Sequence, residues 1–207
     1  MAVRQTGKSP RSAAGRITYL LEPKNWLVVT VIGIGGQLDG LAGIGWGLLA
    51  GLFTAVLPTL FISYGIRRGR WDDRNVGARG PRLIVLAFIM ASVAAGMILL
   101  IVLHAPVLMV GYLAFMLASV AVLAGITTVW KISIHCAVAS GSVALLAFTY
   151  GPLVLPGYLL VALLGWSRVS LGDHTTAQVL AGAVLGAVAA GLAYAAFGGP
   201  AGAASSW

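Results

Sequence analysis

The chain has 207 residues, is 59% hydrophobic, only 9% charged, and carries a formal net charge of +8. A soluble domain carries roughly 25% charged residues, so this composition excludes an ordinary soluble enzyme and leaves no room for a second, soluble domain. In so apolar a chain the basic balance points to membrane topology and anionic lipid, and no nucleic-acid partner is expected.

Residues 1–25 are polar and basic, with Arg4, Lys8, Arg11, Arg16 and Lys24. The first apolar run begins too late for a secretory signal, so this segment reads as a disordered cytoplasmic tail. Apolar runs follow at 26–38, 41–66, 83–103, 106–130, 132–150, 153–166 and 174–197. Leu83 to Trp130 contains no Asp, Glu, Lys or Arg, enough for two crossings at about 20 residues each. The runs are continuous and not alternating, which predicts helices and argues against a barrel. The first and sixth are short for a crossing; the first suits a re-entrant hairpin arm, and the sixth an extension into its polar flank. The predicted fold is all-α: a polytopic transmembrane helical bundle of six or seven helices over residues 26–198, followed by a short flexible C-terminus, 199–207.

Pro58 falls inside the second run, where a kink is expected. Gly43, Gly47 and Gly51, then Gly182 and Gly186, have the small-residue spacing that lets membrane helices approach closely. Internal packing is the first reading of that spacing; a homo-oligomer face is the second. The connectors at 37–40, 103–106 and 151–156 are nearly uncharged and rich in Gly and Pro. The opposite set holds the basic tail, residues 67–82, Lys131 and Arg168. With seven crossings these all fall on one side of a cell membrane, and the positive-inside rule makes that side cytoplasmic.

Two clusters interrupt the apolar pattern. Lys131-Ile-Ser-Ile-His135 precedes one apolar run, and Ser167-Arg168 with His174 and Gln178 precedes another. Ionisable groups at a membrane boundary are costly and mark function. A phosphate ester needs cations on its non-bridging oxygens, a nucleophile and an acid for the leaving oxygen. Arg67, Arg74 and Arg168 can offer guanidinium forks, Ser133 a hydroxyl donor, and Lys131 either a phosphate contact or a headgroup anchor. His135 and His174 titrate in the right range for one to attack while the other donates a proton. One cysteine, Cys136, and three dispersed histidines supply no metal cage, so no metal or other cofactor is expected.

These residues resemble the type 2 phosphatidic acid phosphatase superfamily of membrane lipid phosphatases over about residues 41–197. Its third motif is Ser-Arg, five residues, His, three residues, Asp; here Ser167-Arg168 is followed at that spacing by His174 and Gln178. Its second, Pro-Ser-Gly-His, becomes Ile132-Ser133-Ile134-His135, and its first, Lys, six residues, Arg-Pro, becomes Arg67, six residues, Arg74-Asn75. The resemblance implies that His174 is the nucleophile of a phosphohistidine intermediate, and that His135 protonates the leaving lipid alcohol and then activates water, without a metal. It implies a lipid phosphate or diphosphate substrate, polyprenyl or glycerolipid. Gln178 stands where the family has an Asp, so it can fix the His174 tautomer without supplying charge; Asp173, Asp72 and Asp73 are candidates to compensate. The alternatives are prenyl-diphosphate phosphotransfer or cyclisation, or an impaired membrane protein that only binds lipid phosphates.

Overall fold

A computed structural model describes residues 12–71 and 79–198. All regular structure among them is helical. The tail expectation is corrected for residues 12–25. Ser12 caps helix α1 (Ala13–Leu20) by accepting the Gly15 N–H at 3.1 Å, and Pro23 opens α2 (Pro23–Gly51) at a position where its missing N–H costs nothing. Polar composition suggested disorder, but α1 finds a partner in α7: the hydroxyls of Thr18 and Ser167 lie 2.9 Å apart.

Helix α2 breaks at Asp39 and Gly40, where Gly40 takes φ 50°, a left-handed conformation suited to glycine. The chain reverses there. A Cβ on Gly35 would strike the carbonyl of Gly43, and one on Gly47 the carbonyl of Val31, so the two arms pack backbone to backbone in antiparallel register. The short first run is therefore one arm of a helical hairpin. The second arm passes through a π turn (Leu52–Val56) into α3 (Leu57–Arg67). Pro58 has no N–H for the Thr54 carbonyl, and the widened turn just before it is the form the expected kink takes. The Ser92 hydroxyl, from the next helix, donates to the Phe53 carbonyl inside this turn at 2.6 Å.

Helices α4 (Arg79–Val102) and α5 (Val107–Val129) are joined by a short turn, and α6 (Ile134–Tyr150) starts from its cap Ser133. A 3-10 segment (Pro152–Gly157) leads into α7 (Tyr158–Ser170), so the sixth apolar run does extend into its polar flank. Helix α8 (Thr176–Ala193) carries a capping box between Thr175 and Gln178 and ends in a π turn (Tyr194–Gly198). Among the described residues, five helical stretches are long and apolar enough to cross a membrane.

Val31, Val93, Leu100, Met109 and Leu113 fill the core between α2, α4 and α5; Cys136, Ala139, Val143, Leu164 and Val179 fill that between α6, α7 and α8. Outward faces expose Leu60, Ile98, Val129, Leu159 and Val184, an apolar exterior that water would not tolerate in a monomer. Helices α6 and α8 cross closely and in parallel: Cβ atoms on Gly182 and Gly186 would meet the carbonyls of Ser133 and Ala137. The Gly43, Gly47, Gly182 and Gly186 faces are thus occupied within the chain. These contacts are the internal packing that the glycine spacing first suggested.

Candidate functional site

The parallel pairing of α6 with α8 brings both helix starts, and with them His135 and His174, to one end of the bundle. A cavity of about 150 Å³ opens there, lined by both histidines together with Lys24, Arg82 and Arg168. Arg168, in the last turn of α7, is only 2% exposed, and its Nη2 lies 2.9 Å from Asp173 Oδ2. The backbone turns tightly here: the N–H groups of Asp173 and His174 both donate to the Arg168 carbonyl, and Gly172 adopts φ 67°. Sequence proximity alone thus seats a buried guanidinium beside the nucleophile candidate, with Asp173 offsetting its charge.

His174 is 8% exposed. Its Nδ1 lies 3.2 Å from Gln178 Oε1, and the Thr175 backbone N–H reaches the same oxygen at 3.1 Å. A backbone N–H can only donate, so the shared atom is an acceptor and Nδ1 must carry the proton. The Nε2 lone pair is then left free for attack. Burial first, then the charges of Arg168, Arg82 and Lys131, push the His174 imidazole down to about 4, against the opposing effect of the Gln178 hydrogen bond. It is therefore neutral throughout the physiological range.

Ser133 is fully buried and caps α6, its hydroxyl accepting the Cys136 N–H at 3.5 Å. Its N–H donates to the Gln178 carbonyl, tying the two histidine-bearing helix starts together. Ser133 is not among the residues that line the cavity. Arg168, His174 and Arg82 are all close enough to act electrostatically on His135. Lys131 acts on His174 from outside the lining.

The expectation for Arg67 is corrected: it is exposed at the C-terminal end of α3 and absent from the cavity wall. Arg74, Asp72 and Asp73 lie outside the described residues. The cation that α4 delivers is Arg82, which sequence reasoning did not single out. It is 5% exposed, donates from Nη2 to the Ile132 carbonyl, and keeps a buried Nε with no hydrogen-bond partner among the described residues. A signal existed: like Lys131 and Arg168, Arg82 is a cation bordering an apolar run. Glu22 and Lys24, paired at 2.6 Å, bring the assigned tail into the site as well. Asp173 serves Arg168, so the partner of the His174 N–H is the neutral Gln178. Cys136, beside His135, is fully buried.

Among the described residues no three His, Cys, Asp or Glu side chains cluster as a metal site. No protein-family model, curated protein or solved structure matches this chain.

Proposed function

We propose that this protein is an integral membrane lipid phosphatase working through a phosphohistidine. The observation that carries the reading is the convergence of two imidazoles and two buried guanidinium groups on one cavity with an apolar wall. Counting both hairpin arms, α4, α5, α6, the stretch through α7, and α8, the chain crosses the bilayer seven times. The 17 residues of α6 span about 26 Å at 1.5 Å per residue, close to a hydrocarbon core of about 30 Å. Every Lys and Arg among the described residues then falls at the site end, which the positive-inside rule assigns to the cytoplasm.

In this mechanism Arg82 and Arg168 hold the non-bridging oxygens. His174 Nε2 bonds to phosphorus as the phosphorus–oxygen bond to the lipid breaks, and protonated His135 gives its proton to the departing alkoxide. Neutral His135 then takes a proton from water, the resulting hydroxide attacks phosphorus, the phosphorus–nitrogen bond breaks, and inorganic phosphate leaves. A bound phosphoryl group supplies the negative charge that lets His135 carry a proton among these cations. The lipid tail stays in the bilayer and reaches the cavity between helices.

Purified protein in detergent with a metal chelator is expected to release phosphate from at least one of phosphatidate, phosphatidylglycerophosphate and a polyprenyl phosphate or diphosphate. His174→Ala should lose this release; a variant with wild-type turnover contradicts the mechanism. The neutral partner of His174 favours one second reading, a lipid-phosphate binder without turnover. Saturable binding of those lipids with no phosphate release by the wild type would select it.

A further inference from the structure

Among the described residues, Thr54 is the one cavity-lining hydroxyl that is buried without a hydrogen-bond partner. Other buried helical hydroxyls find a partner, either on their own backbone, as Thr30 donating to the Trp26 carbonyl at 2.8 Å and Thr127 to Leu123 at 2.6 Å, or on a neighbouring helix, as Ser92 donating to Phe53 and Ser140 to Ala183. Thr54 is 2% exposed, and its Oγ1 has no partner among the described residues. It sits in the π turn ahead of Pro58, where the regular ladder that would receive it is interrupted. An unsatisfied buried hydroxyl is a standing cost, and such sites call for a function.

Its position fits one. The antiparallel register of the hairpin (Gly35 against Gly43, Val31 against Gly47) sets Thr54 level with the first turns of α2, where Lys24 and Leu27 line the same cavity. Leu27, Pro58 and Leu86 contribute apolar wall to this cavity, which Arg82, Arg168, His135 and His174 also line. The cavity is only about 150 Å³, so a ligand with its phosphate at Arg82 and Arg168 brings the atoms that join headgroup to tail against the wall that Thr54 shares. A donor at that junction matches an oxygen acceptor there, as in the ester carbonyl of an acylated glycerol. A polyprenyl phosphate offers only hydrocarbon at the same place and leaves the hydroxyl unpaired.

We infer that Thr54 is a specificity-determining residue that donates a hydrogen bond to an ester carbonyl of the lipid, so that the site favours acyl glycerolipid phosphates over polyprenyl phosphates. The inference rests on the phosphatase reading for its phosphate position, but its test does not need turnover.

The full chain in detergent micelles would be given ester-linked phosphatidate, its diether analogue with the same chain lengths, and a polyprenyl monophosphate. Phosphate release would be measured on the wild type, and binding on the His174→Ala protein, each with and without Thr54→Val or Thr54→Ser. One neutral hydrogen bond is worth about a fivefold to tenfold preference. The expected result is an ester-over-ether preference of that size, with the polyprenyl lipid grouping with the ether. Thr54→Val should remove it by weakening the ester lipid alone, and Thr54→Ser should keep it. Equal handling of ester and ether lipids by the wild type overturns the inference without any variant, as does a Thr54→Val loss shared equally by both. If no lipid is hydrolysed, the phosphatase reading fails, and the binding arm still decides the role of Thr54 by the same ester-to-ether ratio.

Discussion

The two ends of the bundle are built from the same kinds of helix and differ in what they bury. The far end reverses the chain at Asp39-Gly40, at Leu103 to Pro106 and at Gly151, and has a cavity of its own, about 220 Å³. That cavity is lined by Ile34, Leu38, Phe148 and Phe197 with a few neutral polar groups, and by no Lys, Arg, Asp, Glu or His. Its histidine, His104, is exposed in a turn with φ 57°. The near end has a cavity of about 150 Å³ and the buried Arg82, Arg168, Asp173 and His174. Desolvated charge is what distinguishes the two ends, because charge is buried at high cost and only with partners.

The sharpest contrast is between the histidines. His174→Ala is expected to lower phosphate release by at least about ten-thousand-fold, as for loss of a nucleophile, while His104→Ala leaves it within about twofold. A comparable loss in both would erase the distinction between the ends. Next come the arginines. Arg82→Gln removes a preorganised cation and should cost about a hundred- to a thousand-fold in kcat/KM, whereas Arg67→Gln at the exposed end of α3 should change it by less than about twofold. The reverse order would return the phosphate contact to Arg67.

A smaller effect concerns pH. The His174 imidazole is depressed to about 4, so the attacking base stays neutral as pH falls from 7 to 5 and is lost only near pH 4. The acid limb of kcat/KM assigned to His174 should accordingly fall near pH 4 and not near 6.5. Gln178→Glu keeps the reach and adds a negative charge beside Nδ1, which favours imidazolium. Its acid limb should move upward in pH. An unmoved limb would mean that residue 178 does not contact the nucleophile.

Much of the bundle was legible because apolar runs and Gly or Pro turns act locally. The third-motif cluster was legible for the same reason: His174 and Gln178 are four residues apart on one helix start, and Arg168 reaches them through a tight turn. Arg82 was not, since the stretch from Arg67 to Arg82 is rich in arginines and only the docking of α4 against the Ile132 carbonyl decides which one turns inward. The helix at Ala13–Leu20 was missed because its polar composition concealed a tertiary partner, Ser167 on α7. Thr54 gave no sign at all. Its difference from Thr30 or Thr127 lies in a π turn, which depends on Pro58 together with the Ser92 contact from a neighbouring helix.

The most direct measurement is rapid acid-free quenching of the protein during turnover of a lipid phosphate labelled with ³²P at its phosphoryl group, followed by peptide mapping. The expected result is label that survives alkali and is lost in acid, attached to His174 and absent from His174→Ala. Steady phosphate release with no label on His174 would contradict the phosphohistidine and the convergence of the two imidazoles on one phosphoryl group.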